Sequence, residues 1–263
     1  MAVFKGVEVD VTTSIILGIV EGFSEFLPIS STGHLILAGK LLGLGETDFV
    51  KSFDIAIQLG AILSVVVLYW RELLVNWETI KKVAVAFLPT GVIGFVLYKI
   101  IKTILLGSAA VVLWSLLVGG IVLIVFEMLH REKDDATKSL SEITYRQSFL
   151  IGVFQSLAVI PGVSRSAATI VGGLILGMKR TLIVEFSFLL AVPTMLAATV
   201  YDLYKNGAVF SVSQINYLAV GFLTSFIVAL ASIKFLIRFV QNHTFILFGL
   251  YRIALVLVWF ALF

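Results

Sequence analysis

Long apolar stretches alternate with short polar ones along the chain. Continuous apolar runs occupy 52–70, 83–101, 108–129, 186–204, 216–237 and 244–263, each near the roughly 20 residues a helix needs to cross about 30 Å of hydrocarbon. They predict six transmembrane helices. Two further apolar regions, 11–48 and 147–180, are interrupted by proline, glycine and hydroxyl residues. Each of their arms is about 10–16 residues, too short to span, which predicts a re-entrant helical hairpin in each region. Non-helical backbone is tolerated at membrane depth only where protein or a water-filled cavity covers it.

The two interrupted regions resemble each other. With 17–43 set over 151–177 and no gap, Gly18 falls on Gly152, Glu21 on Gln155, Ser30 on Ser164, Thr32 on Ser166, Gly39 on Gly173 and Gly43 on Gly177; Pro28 and Pro161 are one register apart. Both run as apolar helix, proline, Ser/Gly-rich break, apolar helix. Three spans follow each, an odd number, so a second copy would lie inverted relative to the first, an arrangement in which broken helices meet near the midplane and form a site. The expected architecture is an all-α polytopic membrane protein, one integral membrane domain over 1–263, with repeat A at about 11–129, a linker at about 130–146 and repeat B at about 147–263.

Charge orients this layout. One side receives Arg71, Lys81, Lys82, Arg131, Lys133, Lys138, Arg146, Lys179, Arg180, Lys234 and Arg238, the other only Lys5, Lys40, Lys51, Lys99, Lys102 and Lys205. The richer side is expected to be cytoplasmic, so the first hairpin opens outward and the second enters from the cytoplasm. Composition agrees with a membrane location: 60% hydrophobic, 13% charged and a mean hydropathy of +1.09, against about 25% charged in soluble domains. The net charge of +3 then reflects cytoplasmic loops, and no nucleic-acid partner is expected. The absence of cysteine excludes disulfides and thiolate chemistry. The N-terminus has no basic stretch before its apolar run and reads as part of the mature fold. The mixed charges of 130–147 read as a solvated linker.

Against this background the polar groups inside the breaks stand out. An ionised side chain at a helix centre costs about 2.5–3.5 kcal/mol on insertion scales, so Glu21 and Glu25 together offset roughly ten large apolar residues. Four apart, they share a helix face. They are either held by internal hydrogen bonds or hold a divalent cation, Mg²⁺ or Ca²⁺, because their ligand atoms are oxygens. After Pro28, Ser30, Ser31 and Thr32 open a helix, where hydroxyls cap free N–H groups and a phosphate is also favoured. His34, three residues after Ser31, can reach the Ser31 hydroxyl or a phosphoryl oxygen.

The second break, "PGVSRSAAT" at 161–169, supplies Gly162 for a turn, Ser164, Ser166 and Thr169 as hydroxyls, and Arg165 as a planar fork suited to phosphate. Arg165 equally suits neutralisation of Glu21 or Glu25. Arg252, in the last span, either pairs with an acid or assists an anionic site. Asp54, Gln58 and Gln155 are candidate supporting groups. No Walker-type lysine is present, so nucleotide hydrolysis is not indicated. An anionic, oxygen-rich ligand with a large apolar part, such as a lipid pyrophosphate, fits both the groups and their location.

With these residues in view, "EGFSEFLPISSTGH" (21–34) and "PGVSRSAAT" (161–169), supported by "TYRQSFLIGVFQSLA" and "EFSFLLAVPTM", the chain closely resembles the bacterial undecaprenyl pyrophosphate phosphatase family, also known for bacitracin resistance. The likeness extends over essentially the whole chain. It implies hydrolysis of C55 isoprenyl pyrophosphate to its monophosphate and inorganic phosphate, which regenerates the carrier for peptidoglycan precursors. It also implies divalent-cation dependence and a site reached from outside the bacterial cytoplasmic membrane. By motif, Glu21 and Glu25 become the acidic, metal-holding pair, Ser31 and His34 the groups beside the reacting phosphorus, and Arg165 the pyrophosphate clamp. The substrate-binding set is Ser30, Thr32, Ser164, Ser166, Thr169 and Arg252. Either Ser31, activated by His34 or Glu25, or a water held by metal attacks. The expected partners are the lipid substrate and the bilayer, with a homodimer left open. A transporter or flippase of a polyprenyl phosphate lipid is the alternative, since inverted repeats with broken helices also build carriers.

Overall fold

A computed structural model describes residues 9–45, 47–100, 108–132, 136–206 and 214–263. Of the loop charges considered above, Lys5, Lys102 and Lys133 lie outside these residues, as do the side chains of Lys51, Lys99 and Lys205. The described elements are helical: α1 (Val11–Ser24), α2 (Ser31–Leu41), α3 (Asp48–Leu68), α4 (Trp70–Leu74), α5 (Trp77–Ile100), α6 (Ala109–Leu129), α7 (Tyr145–Gln155), α8 (Arg165–Ile175), α9 (Arg180–Asn206), α10 (Ile215–Val240) and α11 (Ile246–Leu262), with short 3₁₀ turns at Leu140–Glu142 and Ser156–Val159.

Among the described residues, four helices are long and apolar enough to cross a membrane: Trp77–Leu97, Ala109–Leu129, Arg180–Tyr201 and Ile215–Val240. The other two runs expected to span give shorter apolar helices, Ser52–Leu68 and Ile246–Leu262. The second has 17 residues, about 25 Å at 1.5 Å per residue and short of the hydrocarbon thickness. In α3 the polar residues Asp48, Lys51 and Asp54 occupy the first turns and shorten its apolar part. Large apolar side chains such as Val92, Phe95, Trp114, Val118, Ile227 and Leu257 are exposed on the outer faces. Such a surface belongs in lipid, and the chain is an integral membrane protein.

Both interrupted regions fold as helix, break, helix: α1 and α2 flank the first break, α7 and α8 the second. α2 is capped by Ser30, whose hydroxyl accepts from Gly33 N–H at 3.4 Å, and α8 by Ser164, whose hydroxyl accepts from Ala167 N–H at 3.2 Å. Ser30 (φ 73°) and Ser164 (φ 77°) are the two non-glycine residues at positive φ among the described residues. A side chain at such φ carries strain of order 1–3 kcal/mol and persists where the surroundings hold it. Gly43 and Gly177, which close the two second arms, also match in left-handed φ.

The first arms cross over to the opposite half of the chain. α1 packs along α10, and α7 along α5. Contact on α10 is backbone to backbone: a Cβ on Gly18 would lie 2.7 Å from Gly221 O, and one on Gly22 2.5 Å from Ser225 O. Small residues at helix crossings allow this approach in a membrane, where dispersion replaces the hydrophobic drive. Behind the breaks sits the largest apolar cluster, in which Phe26 meets Phe188 edge-on with centroids 5.3 Å apart.

The linker is more tightly held than its charges foretell. Buried Lys82 donates to Leu140 O at 3.0 Å and Ser141 O at 2.8 Å. Thr137 pairs with the turn between α8 and α9 through its N–H to Gly177 O and its carbonyl to Lys179 N–H. Arg180 forms an ion pair with Glu127, whose side chain is 1% exposed. Two adjacent carbonyl groups within the linker thus satisfy a lysine that would otherwise be a buried charge without hydrogen bonds.

Candidate active site

The two breaks meet on Glu25. This residue follows the last turn of α1, and its two carboxylate oxygens are claimed from different halves of the chain. The Ser31 hydroxyl donates to Oε2, and Arg165 Nη2 donates to Oε1 at 3.1 Å. Ser31 and Arg165 are each the first residue of their helix, α2 and α8. The left-handed serine before each directs the chain so that both first-turn side chains converge. Glu25 and Arg165 side chains are only 6% and 10% exposed, so their mutual attraction is poorly screened.

Arg165 is aimed by a third contact, from Nη1 to Ser187 O at 2.8 Å on α9. Thr169 was expected among the substrate ligands; in the fold its hydroxyl is used internally. Thr169 Oγ1 contacts Arg165 O and Ser166 O, each at 3.0 Å, and Ser187 Oγ at 2.6 Å. It ties the first turn of α8 to α9 and so holds Arg165 in place. Ser187 is the supporting residue that motif reading did not single out, although it lies within "EFSFLLAVPTM".

Glu21, one turn before Glu25, is fully buried, and neither of its oxygens has a hydrogen-bond partner. It lies within electrostatic reach of Glu25, Asp54 and Arg165; Asp54 Oδ1 is likewise buried and unpartnered. Buried carboxylates within electrostatic reach of one another cannot all ionise cheaply at low dielectric, and a proton or a cation relieves them. The acidic pair is therefore unequal: Glu25 is fully engaged and Glu21 is free. Unpartnered carboxylate oxygens fit a hard cation, and among the described residues no three His, Cys, Asp or Glu side chains gather round one point. Carboxylate oxygens of this kind are the donor chemistry that Mg²⁺ and Ca²⁺ share.

The remaining candidates fall into three groups. Ser164 Oγ, besides its cap, lies 3.3 Å from Ser166 Oγ, and the Thr32 hydroxyl has no partner among the described residues and is half-buried. At the helix starts, Ser30 accepts the N–H groups of Gly33 and His34, and Ser164 those of Ala167 and Ala168. The earlier N–H groups, of Ser31, Thr32, Arg165 and Ser166, lack a preceding turn to accept them. Two helix N-termini with free donors and positive dipole ends beside Arg165 offer the chemistry that suits an anion.

His34 keeps different company from what its spacing suggests. Its Nδ1 is 2.8 Å from Ser30 O and its Nε2 2.8 Å from the hydroxyl of Tyr251 on α11. Of the two groups weighed as activators of Ser31, it is Glu25 that contacts it. Arg252 is wholly buried, with four donor contacts to carbonyls: Nε to Leu116 O (3.2 Å), Nη2 to Ser115 O (3.0 Å) and Gly162 O (2.7 Å), and Nη1 to Val163 O (3.1 Å). It fastens the second break to α6, where Gly119 leaves room for the guanidinium. Neither an acid nor an open anion site is its partner: the guanidinium holds the position of the break. Gln155, the counterpart of Glu21, donates to Thr90 (2.8 Å) and Thr194 (3.2 Å). Its amide nitrogen is thus engaged, while its Oε1, like the Glu21 oxygens, is buried without a partner.

Replacing Glu21 by glutamine keeps its shape and removes its charge. If Glu21 is the free cation ligand, Glu21→Gln is expected to raise the divalent-cation concentration for half-maximal activity by about tenfold or more, as loss of a charged ligand does. A titration of activity against Mg²⁺, read beside the parent, checks it.

The bacitracin resistance protein BacA family model matches residues 14–258. A protein of Aquifex aeolicus named undecaprenyl-diphosphatase is 54% identical over 250 residues, covering 95% of this chain and 97% of its own length. Proteins of the same name from a Sulfurihydrogenibium species and from Wolinella succinogenes are 53% identical over 247 residues and 50% over 246, each covering 94% of this chain. Similarity at this level over nearly the full length carries both breaks with it, and the chain belongs to the bacitracin resistance protein BacA family.

Proposed function

We propose that this protein is an undecaprenyl-diphosphatase: it hydrolyses C55 isoprenyl pyrophosphate to the monophosphate and inorganic phosphate, and so returns the lipid carrier to cell-wall synthesis. The observation that carries the reading is Glu25, held between the Ser31 hydroxyl and the Arg165 guanidinium at the meeting of two helix N-termini. A carrier needs a site for its ligand but has no use for a hydroxyl hydrogen-bonded to a buried carboxylate beside a cationic fork.

The geometry supports the following course. The terminal phosphate enters where Arg165 and the free N–H groups at the starts of α2 and α8 bind its oxygens. Ser31 Oγ attacks the terminal phosphorus as its proton passes to Glu25; the new O–P bond forms while the bond to the bridging oxygen breaks, and the lipid monophosphate leaves with that electron pair. Water then attacks the phosphoserine, and inorganic phosphate departs as Ser31 regains a proton. A divalent cation at Glu21 would supply charge neutralisation for the phosphoryl oxygens. Arg165, fixed by Ser187 O, is positioned before charge develops and so costs little reorganisation in the transition state.

The same reading places the site in the bacterial cytoplasmic membrane, open to the extracytoplasmic side, with the two hairpins re-entrant and the halves related as inverted repeats. Matching caps, matching left-handed residues and the reciprocal packing of α1 on α10 and α7 on α5 support that relation. Under it, α3 and α11 complete six spans by tilting little or by drawing the bilayer thin around them. A homodimer is compatible with the exposed apolar faces.

Purified protein in detergent with Mg²⁺ is expected to release inorganic phosphate from C55 isoprenyl pyrophosphate. No release under those conditions, with the lipid bound, would give the carrier reading precedence.

A further inference from the structure

The contact between His34 and Tyr251 has no place in the course above, yet it determines what His34 can do. A backbone carbonyl only accepts, so the 2.8 Å contact from Nδ1 to Ser30 O requires the proton on Nδ1. In the neutral ring, Nε2 then carries the lone pair and accepts from the Tyr251 hydroxyl, 2.8 Å away. The two rings lie nearly parallel, at 5° with centroids 5.5 Å apart, which restrains the imidazole from turning. Tyr251 is 42% exposed, whereas Ser31 and Glu25 are buried. Next to it in sequence, Arg252 grips the second break. Adjacent residues of α11 thus hold one group from each hairpin.

We infer that Tyr251 is a positioning residue for His34: it holds the imidazole with Nε2 as the single accepting nitrogen and gives that nitrogen up to accept from the water that attacks the phosphoserine. The inference rests on the phosphatase reading for its role in turnover, but the pairing itself does not depend on it. Ser30, strained at positive φ, supplies the carbonyl that sets the tautomer, and its own hydroxyl caps α2. The strained cap therefore has a second use, to orient the histidine. Tyr251 supplies the other half of the orientation and, being a partly exposed side chain, is the partner that a water can displace.

The test uses the full-length protein in detergent with ¹⁵N-labelled histidine. The chain has three histidines, and the His34 signal is assigned by its loss in His34→Gln. In the parent, His34 is expected as the Nδ1–H tautomer with a hydrogen-bonded, unprotonated Nε2, and Tyr251→Phe is expected to shift the Nε2 resonance towards that of a free acceptor. Loss of one neutral hydrogen bond is expected to lower kcat about fivefold to tenfold, with KM changed less than about twofold. In the His34→Gln background, the same substitution is expected to cost less than about twofold, because Tyr251 acts through His34. An Nε2–H or doubly protonated His34 in the parent overturns the inference even if the phenylalanine variant does not fold. So does an equal loss in both backgrounds. If the parent binds but does not hydrolyse the lipid, the phosphatase reading fails while the resonance of His34 still decides the pairing.

Discussion

Ser31→Ala is expected to lower phosphate release from C55 isoprenyl pyrophosphate by about a thousandfold or more, the scale on which removal of a nucleophile acts. The effect should fall on kcat, because the methyl group leaves Arg165, the α2 and α8 N-termini and the apolar surroundings able to bind substrate. The fold should tolerate the change: Ser31 contributes one hydrogen bond to Glu25, and Glu25 keeps its contact with Arg165, so the loss of stability is about 1 kcal/mol. With substrate labelled in the terminal phosphate, rapid quench of the parent is expected to trap label on the protein, and Ser31→Ala none. Turnover of Ser31→Ala within tenfold of the parent, with no label trapped on either, would transfer the attack to water and leave Ser31 the task of placing phosphate.

That experiment addresses a contact which the sequence brought close but did not draw. Ser31 is six residues from Glu25 and three from His34, so local spacing allowed either to serve it. The choice was made by the break. Ser30 at positive φ turns α2 so that the Ser31 side chain points back to the end of α1, while the His34 ring is carried round to Ser30 O and Tyr251. A positive φ at a serine cannot be read from residue type, since the surrounding structure imposes it. The matched register of Ser30 and Ser164 was legible, and with it the two helix starts, because capping chemistry is local.

What lay hidden was set by packing between distant segments. Tyr251 is 217 positions from His34, on a helix whose pattern is that of any apolar span, and no neighbour in sequence marks it. Arg252 was conspicuous as a charge in an apolar run, but its partners are carbonyls, which every residue has and no motif records. Thr169 sits in a phosphate-like motif, and only the nearness of Ser187 on α9 reveals that its hydroxyl is engaged. The helices themselves were readable from apolar runs. The ends of α3 and α11 were less so, because a window of hydrophobicity does not register where a run of polar residues begins to shorten the apolar length.

Arg165→Lys is expected to reduce turnover by about a hundredfold, and Arg165→Ala by about a thousandfold, in line with loss of a preorganised group that stabilises developing charge. The lysine variant is the more informative. Its single ammonium keeps the positive charge beside Glu25 but cannot reproduce the planar fork that meets Glu25 Oε1 and Ser187 O together and still offers N–H groups to a phosphate. Arg165→Ala mixes two effects, since breaking a buried ion pair leaves an uncompensated charge and costs about 3–5 kcal/mol of stability. In Arg165→Lys that penalty is largely avoided, so melting in detergent is expected to stay near the parent while both kcat falls and KM rises, the fork being needed in the ground state and the transition state. Sequence left Arg165 with two uses, to clamp pyrophosphate or to neutralise an acid. A lysine variant with parental turnover would reduce it to the counter-ion of Glu25, because charge alone would then suffice. A stable lysine variant with the loss stated here requires the shape of the guanidinium as well as its charge.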